Sequence, residues 1–537
     1  MKKSYLILLS ALTGLLLVAA WPESGFPGLL FIAFLPLLFM EEAIAVKQKT
    51  YSGWAPFLFA LPGMLLWNAL DTYWIYNSTA VGGIVAIALN SLFMAFVIQI
   101  YHLIRKNVFR FKGGYWILPV AWMAFEYLHL NWSLNWPWLN IGNGFSMYPR
   151  WIQWYEYTGT FGGTLWVFVV NLLLFTALRS LFSGRKGYNP LWIVAMALLV
   201  FAVPVFLSHR MYHAYEERED PLDILVIQPN NDPYTEQYGL SPDEVLSNVY
   251  DLIDTHGDSL VDFIVLPESV IQEGSLFERK LTESRSVRSL LDYMSQYPQT
   301  AICIGASTYK RFLPGETLTS TARLVPNADW YYDAYNTVFY MDNISEIQLY
   351  HKSKLTPGVE VMPLIEYLPF IEHLALDLGG TVGSLGIDRE RKPFYNTLHE
   401  VSVAPCICYE SIFGEFLSGF VRNGAEAIFV MTNDGWWKDT PGYRQHASYA
   451  RLRAIEMRRS IARSANTGTS CFINQRGDVI KATPYWERTA IRHTINANDR
   501  ITFYAQHGDY IARVAVLTFL IMLLASVARG IVMRSGK

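Results

Sequence analysis

The sequence predicts a membrane protein built of two parts, a polytopic α-helical domain and a layered α/β domain. The chain has 537 residues, of which 52% are hydrophobic, more than one ordinary soluble domain carries. Long apolar runs fill the first ~210 residues and recur once near the C-terminus. Between them lies a polar block, about 212–508, in which short strand-like segments alternate with helical ones.

Seven apolar runs precede the polar block, and most are close to the roughly 17–25 residues that a spanning helix needs. An eighth run, 511–527, follows the block. We therefore expect seven transmembrane helices in residues 1–211, an α/β domain in residues 212–508, and a last transmembrane helix with a short tail in residues 509–537. The seven runs are residues 5–21, 27–40, 54–70, 80–103, 115–129, 162–180 and 190–208.

The distribution of basic residues predicts the orientation of these helices. Lysine and arginine concentrate in alternate loops and in both termini, whereas the intervening loops hold a single basic residue, Arg150. Because basic loops stay on the cytoplasmic side, both termini are expected in the cytoplasm and the polar block outside it. The residues that fix this orientation are Lys2, Lys3, Lys47, Lys49, Arg105, Lys106, Arg110, Lys112, Arg179, Arg185, Lys186, Arg529, Arg534 and Lys537.

The first run has a second interpretation, as a secretory signal peptide. Val18, Ala19 and Ala20 would precede its cleavage site. Cleavage would remove one helix and leave the orientation of the others unchanged. We expect the helix to be retained.

The outward loop 130–161 is rich in tryptophan, a residue whose amphipathic ring settles at membrane–water interfaces. An interfacial anchor is one interpretation of this loop, and a rim that guides lipid towards a site above the membrane is the other. The residues concerned are Trp132, Trp136, Trp138, Trp151 and Trp154.

Charge and cysteine content exclude several classes of function. A formal net charge of −3 leaves no basic surplus for a nucleic-acid partner. Four cysteines are too few for a disulfide scaffold, and their spacing does not match a zinc site. His351 and His446 have no companions at metal-ligand spacing, so neither a metal nor a cofactor is expected.

The polar block shows the alternation that is typical of a layered α/β domain. Ser241 to Glu244 form a capping box with proline at the first helical position, which predicts a helix to about His256. An arginine-rich helix is expected over residues 445–463, with its arginines on a solvated or intradomain salt-bridge face. Strands are expected at 222–228, 262–266, 301–305, 337–341, 347–350, 401–408, 427–431 and 470–474.

Residues 401–415, VSVAPCICYESIFGE, are a candidate for nucleophilic chemistry. The segment predicts a buried strand that delivers Cys408 to a strand-to-helix turn, with backbone N–H groups nearby. We expect this setting to lower the pKa of the thiol and to stabilise an oxyanion. The alternative is that Cys408 is a small apolar core residue.

Two further candidates lie at strand ends of the same domain. Glu268 ends a strand in LPES, and Lys352 follows one in YHKSKLTPGVE. Because active groups of α/β folds cluster at strand ends, these two side chains can converge with Cys408. Glu268 would then remove the thiol proton, Cys408 would attack an acyl carbon, and Lys352 with the Tyr409 N–H would hold the oxyanion.

This set of motifs resembles the Glu–Lys–Cys triad of the nitrilase superfamily. A nitrilase-like domain inserted before the last of eight membrane helices resembles the apolipoprotein N-acyltransferase family, and the resemblance covers essentially the whole chain. It implies an α-β-β-α sandwich for the α/β domain. It implies Glu268 as general base, Lys352 as oxyanion-stabilising group and Cys408 as nucleophile. Further positions that match the family are Glu360, Tyr409, Glu410 and Trp436, which are expected near the site.

Two departures and several alternatives accompany this resemblance. LTPGVE stands for the family's LVPFGE and LPES for its WPE, which affects the expected lid and acyl-chain fit. Lys354 competes with Lys352, Glu268 could serve a helix N-terminus, and Glu360 could pair with a local cation. Trp436 could be packing only. Residues 363–376 could be core or a flap that admits lipid chains.

The resemblance implies a two-step acyltransferase in a bacterial inner membrane, with the α/β domain on the periplasmic face. A fatty acyl group would pass from a phospholipid to Cys408 as a thioester. It would then pass to the α-amine of the diacylglyceryl-modified N-terminal cysteine of an apolipoprotein. A monomer without cofactor is expected. The alternatives are a membrane-tethered amidase with a small substrate and, in another class, a membrane scaffold or transporter.

Overall fold

A computed structural model describes residues 2–183, 189–237, 239–256, 261–274, 276–361 and 384–535. The chain divides into two compact units, Met1–Ala214 with His507–Lys537 and Tyr215–Gln506. The first unit is helical and the second is α/β. The α-helices of the described residues are α1 Lys3–Ala20, α2 Leu30–Ala33, α3 Leu35–Val46, α4 Ala55–Thr72, α5 Ile75–Ser78, α6 Ala80–Asn107, α7 Ile117–Asn131, α8 Tyr155–Ser183, α9 Pro190–Ala214, α10 Pro242–His256, α11 Arg285–Met294, α12 Gly414–Arg422, α13 Pro441–Met457, α14 Phe503–His507 and α15 Tyr510–Ser535.

The helical unit confirms a polytopic membrane domain. Six helical segments of the described chain are long and apolar enough to cross a membrane, and α4 and α7 occupy the two remaining predicted runs. Helix α8 is interrupted at Gly159, where φ is 59°. The six segments are Lys3–Ala20, Pro27–Val46, Ala80–Asn107, Tyr155–Phe182, Pro190–Ala214 and Tyr510–Met533.

A buried ion network joins α3 and α6 inside the helical unit. Arg105 is fully buried, forms an ion pair with Glu41, and reaches Glu42 at 3.1 Å. His102 contacts the other oxygen of Glu41 at 2.7 Å. The guanidinium of Arg105 also lies 4.0 Å from the ring centroid of Tyr115. Charged groups are therefore buried between these two helices, and within the network they pair with one another.

The tryptophan-rich loop folds back onto the helical unit. Trp138 is 1% exposed and packs against Trp74, with ring centroids 4.7 Å apart. Glu126 of α7 accepts a hydrogen bond from the Ile141 N–H at 2.7 Å and so links this helix to the loop. Trp138 is therefore a packing residue within the helical unit, and the expected interfacial depth of the loop stays a prediction. Trp132, Trp136, Trp151 and Trp154 remain partly exposed.

The α/β unit contains two sheets. The strands are β1 Pro221–Gln228, β2 Phe263–Val265, β3 Ala301–Arg311, β4 Arg323–Leu324, β5 Tyr331–Met341, β6 Gln348–His351, β7 Phe394–Asn396, β8 Val401–Ile407, β9 Ala427–Thr432, β10 Ser460–Ala465, β11 Cys471–Ile473, β12 Val479–Ala482 and β13 Thr489–Asn496. One sheet has the order β13-β1-β2-β3-β5-β4, with β6 paired to β5, and the other has the order β12-β11-β10-β9-β8-β7. Strands β1, β2 and β3 are parallel neighbours in the first, and β8, β9 and β10 in the second.

Alternation along the strands produces the layers. In β1, Ile224 and Val226 pack into the core shared with the second sheet, whereas Leu225 and Ile227 pack against α10 and α11. Helices α12 and α13 contribute Leu417, Ala450 and other buried residues on the side of the second sheet. This arrangement confirms the α-β-β-α sandwich.

The arginine-rich segment differs from its prediction. Helix α13 ends at Met457, Arg458 takes a left-handed conformation with φ 50°, and β10 begins at Ser460. The predicted helix extended to residue 463 because no glycine marks the left-handed turn at which the helix ends. Arg453, Arg458, Arg459 and Arg463 are each at most 2% exposed, so a solvated face is excluded for these four. The intradomain salt-bridge alternative is confirmed for Arg453, which pairs with Glu456, and for Arg463, which pairs with Asp434.

Candidate active site

The first sheet positions a carboxylate and an ammonium close together. Glu268 lies three residues after β2, and Lys352 follows β6 directly. Strand β5 pairs with β6 and brings Asn336 beside this point, where its carbonyl accepts the Lys352 N–H at 2.8 Å. These three side chains are buried, with exposed fractions of 8%, 2% and 7% for Glu268, Lys352 and Asn336.

Lys352 donates to two carboxylates. Its Nζ lies 3.0 Å from Glu268 Oε1 and 2.9 Å from Glu360 Oε1. Asn336 Nδ2 bridges the same carboxylates, 2.6 Å from Glu268 Oε1 and 2.9 Å from Glu360 Oε1. Glu360 is fixed further by the Thr356 N–H at 2.9 Å. The result is a closed, buried ion cluster in which every charge has a partner.

The cluster keeps its own charges in place. Burial alone would lower the pKa of Lys352, but Glu268 and Glu360 hold that pKa well above its ordinary value. Burial opposes ionisation of Glu360, yet Lys352 keeps the pKa of this carboxyl below its usual range. The ammonium is therefore a permanent cation at neutral pH, suited to meet a developing oxyanion.

Cys408 follows β8 and begins a 3-10 helix, Cys408–Ile412. Its φ of 50° is a left-handed conformation, which is unusual for a residue other than glycine. The thiol is free, and the residue is partly buried. Sharp turns of this kind lift a side chain out of a sheet edge and cost conformational energy.

The structure contradicts the expected lowering of the thiol pKa. Burial raises the pKa of Cys408 far above its ordinary value, and the charge of Glu268 raises it further, against an opposing effect of Lys352. A short 3-10 turn at a buried position does not compensate for desolvation of the thiolate. The resting thiol is therefore protonated, and attack requires a base that removes its proton.

Glu410 connects the Cys408 turn to the lysine loop. Its Oε2 accepts the Ile407 N–H at 2.8 Å, and its Oε1 accepts the Ser353 N–H at 2.6 Å and the Tyr350 hydroxyl at 2.7 Å. The side chain is fully buried. Glu410 thus links the residue before Cys408 to the residue after Lys352 and fixes the position of the two segments relative to each other.

The remaining sequence candidates among the described residues are Lys354, Tyr409 and Trp436. Lys354 stacks over the Phe413 ring at 4.8 Å, outside the carboxylate cluster. Tyr409 is buried. Trp436 is half-buried, packs edge-on against Tyr234, and accepts the Tyr234 hydroxyl on its carbonyl at 2.7 Å. Residues 363–376, the expected core segment or flap, lie outside the described residues.

Sequence reasoning missed two residues of the site. Asn336 sits in the largely buried strand β5, and an amide at such a position is a signal because it needs a partner. Gly305 in β3 lies so close to the Glu268 loop that a Cβ there would be 2.7 Å from Glu268 Cα.

Among the described residues, no group of three histidine, cysteine, aspartate or glutamate side chains has the geometry of a metal site. A protonated thiol beside a carboxylate and an ammonium can perform nucleophilic acyl transfer.

Comparison with known proteins covers both units. The model of the apolipoprotein N-acyltransferase N-terminal domain matches residues 13–173, and the carbon–nitrogen hydrolase model matches residues 226–503. An apolipoprotein N-acyltransferase of Chlorobaculum tepidum is 28% identical over 95% of this chain and 94% of its own length. Another, from Thermotoga maritima, is 25% identical over 98% and 94%. Among solved structures, Nit3 of Saccharomyces cerevisiae is 14% identical, with a TM-score of 0.36, over 53% of this chain and 93% of its own.

Proposed function

This chain belongs to the carbon–nitrogen hydrolase family, and on that premise we propose that it is a membrane-embedded apolipoprotein N-acyltransferase. The observation that carries the proposal is the extent of the likeness. Relatives of that name align with about 95% of the chain, so both the helical unit and the α/β unit have counterparts in them. A soluble-substrate amidase would have no use for the helical unit.

The first half-reaction loads the enzyme. Glu268 takes the proton of Cys408, and the sulfur attacks the carbonyl carbon of a phospholipid ester. Lys352 and the Tyr409 N–H stabilise the resulting oxyanion. The ester C–O bond then breaks, the proton on Glu268 passes to the leaving alkoxide, and a lysophospholipid departs. Cys408 retains the acyl group as a thioester.

The second half-reaction delivers the acyl group. The α-amine of the diacylglyceryl-modified N-terminal cysteine of an apolipoprotein attacks the thioester carbon, and Glu268 accepts the proton of the amine. The C–S bond breaks as the amide forms, and the proton returns to the Cys408 sulfur. A thioester is reactive enough to acylate an amine, and burial of the site limits competing hydrolysis.

The location follows from the substrates and the basic loops. Both substrates are lipid-anchored, so a catalytic unit tethered to the bilayer meets them in the plane of the membrane. The alternation of basic loops supports cytoplasmic termini and a periplasmic α/β unit in the inner membrane of a bacterium. Alkaline phosphatase fused after Asp262 should be active, and the same enzyme fused after Lys49 should be inactive. The reverse pattern would contradict this orientation.

The decisive experiment is intact mass of the purified protein after incubation with phospholipid. Wild type should gain one acyl mass that hydroxylamine removes, and Cys408→Ala should gain none. Cys406→Ala is the matched control, because Cys406 is a free, fully buried thiol two residues away and should leave the adduct unchanged. A diacylated lipopeptide should then discharge the adduct onto its amine.

Two results would contradict the proposal. An adduct that persists in Cys408→Ala would remove the nucleophile from its role. Absence of any adduct with every phospholipid tried, together with release of ammonia from small amides, would favour the tethered amidase.

A further inference from the structure

A second buried ion network lies at the edge of the second sheet, behind the Cys408 turn. Because β8 and β9 are parallel neighbours, Cys408 and Asp434, which follow these strands, come to one edge of the sheet. Arg463 lies within the next parallel strand, β10, and its side chain reaches Asp434. Helix α13, which connects β9 to β10, adds His446. The side chains of Asp434, His446 and Arg463 are fully buried. The proposed mechanism gives none of them a role.

The network is closed by hydrogen bonds to Asp434. Its Oδ2 accepts from Arg463 Nη2 at 2.7 Å, and its Oδ1 accepts from the Thr432 hydroxyl at 2.9 Å. His446 Nδ1 lies 3.0 Å from the same Oδ1. Burial opposes ionisation of Asp434, but Arg463 and His446 hold the pKa of the carboxyl below its ordinary value. The carboxylate therefore fixes the orientation of the imidazole ring.

The other side of the His446 ring reaches the nucleophile's own backbone. Its Nε2 lies 3.1 Å from the Cys408 carbonyl oxygen and 2.9 Å from Ser411 Oγ. The Ser411 hydroxyl donates to the same carbonyl at 2.8 Å. The side chains of His446 and Ser411 thus both contact the carbonyl oxygen of Cys408, the residue whose φ is 50°. A left-handed conformation at a non-glycine residue persists only where its surroundings enforce it.

We infer that His446, Asp434 and Arg463 are positioning residues for acyl transfer, which hold the Cys408 backbone in the conformation that presents the thiol to Glu268 and Lys352. The inference rests on the proposed function for the role of the thiol. The part that concerns the backbone conformation of Cys408 does not depend on which reaction the thiol performs. A purely structural role for the network would stabilise the fold without affecting the reactivity of Cys408.

The test compares buried residues that differ in their contact with the turn. His446→Gln and Arg463→Lys break the network, whereas Arg459→Lys is the matched control. Arg459 is 1% exposed and donates to the carbonyls of Ala425 and Arg500, at 2.7 and 2.8 Å, and neither of these residues belongs to the Cys408 turn. The rate of Cys408 alkylation by iodoacetamide is measured by peptide mass across pH 6–10, below the melting temperature of each variant.

We expect alkylation at pH 7 to slow about 10-fold or more in His446→Gln and Arg463→Lys, with an altered pH profile, because the thiol moves relative to its base. Arg459→Lys should keep the wild-type profile even where its melting temperature falls. Wild-type profiles in all three variants would overturn the inference. If the network variants do not fold, Ser411→Ala, which removes one hydroxyl from the same carbonyl, should slow alkylation several-fold, and an unchanged rate would overturn the inference.

Alkylation needs no lipid, so this test separates the two proposals. If the network variants and the control variant are alkylated at Cys408 at the same rate, only the positioning role is contradicted. A wild-type protein that is alkylated as expected but never acquires an acyl group from phospholipid contradicts the proposed function alone.

Discussion

Gly305→Ala should slow acyl-enzyme formation by displacing the backbone that carries Glu268. In β3, the Gly305 N–H donates to the Pro267 carbonyl at 3.1 Å, and the Gly305 carbonyl accepts the Val270 N–H at 2.9 Å. A Cβ at this position would lie 2.5 Å from Ser269 N and 2.7 Å from Glu268 Cα. These are backbone atoms, so no side-chain rotation relieves the clash. The loop must move by about 1 Å to reach ordinary van der Waals separation of ~3.5 Å.

The displacement sets the size of the effect. A misplacement of about 1 Å in a catalytic group costs on the order of 100-fold in rate, so acyl-enzyme formation should slow by roughly that factor. Overpacking itself destabilises by about 1–3 kcal/mol, which corresponds to a fall in melting temperature of several degrees for a unit of this size. The rate of acyl-enzyme formation is thus expected to fall strongly, whereas the melting temperature falls by only several degrees.

The assay is the time course of the acyl-enzyme mass after addition of phospholipid, at a temperature where both proteins are folded. Gly274→Ala is the matched control, because it lies further along the same loop and a Cβ there meets nothing within 4 Å. It should acylate at the wild-type rate. A Gly305→Ala protein that acylates within threefold of wild type would refute the argument that this close approach positions Glu268.

Three further predictions follow from other contacts. Asn336→Leu removes the amide that bridges both carboxylates of the cluster, and acyl-enzyme formation should fall about 10-fold or more with little change in lipid binding, as measured by separate rate and saturation analysis. Two carboxylates, at 2.8 and 2.9 Å, hold His351, and after the cost of burial they raise its pKa to about 9. Its stabilising effect of about 3 kcal/mol should be complete below about pH 6.5 and lost as pH rises through about 9, so the melting temperatures of wild type and His351→Gln should converge in that range. Arg105→Ala removes the guanidinium partner of the buried Glu41 and leaves this carboxylate with His102 alone. It should destabilise the helical unit by about 3 kcal/mol, measured as thermal unfolding in detergent, and a melting temperature within one degree of wild type would contradict the importance of this network.

The sequence was most informative where local pattern and strand-end position coincide. Apolar runs predicted the helical unit, and the strand ends near Glu268, Lys352 and Cys408 predicted where chemistry could lie, since parallel strands share an edge. The functional roles of those residues stay predictions. What could not be predicted depends on contacts between distant segments. Asn336 bridges residues 68 and 24 positions away, and no local pattern encodes that distance.

The error about the thiol pKa has the same origin. A cysteine at a turn was expected to gain from nearby N–H groups, but burial and the charge of Glu268 act on Cys408 from parts of the chain that the motif does not contain. Strand β10 was missed for a related reason, because its six residues are all buried and carry no alternation.

In the proposed reaction, the raised pKa of the Cys408 thiol keeps the total charge of the buried site constant. At rest, Lys352 faces two carboxylates and a neutral thiol. When Glu268 takes the thiol proton and sulfur attacks, Glu268 becomes neutral and the oxyanion becomes negative, so the total charge of the buried site does not change. The ammonium loses one carboxylate partner at the moment that a new anion forms beside it, while Glu360 and Asn336 keep it in place. A permanently ionised thiolate would add a third negative charge beside the single ammonium of this site and would raise the cost of forming the oxyanion. A buried lysine between two carboxylates, only one of which accepts a proton, therefore explains why this site can use a thiol that is protonated at rest.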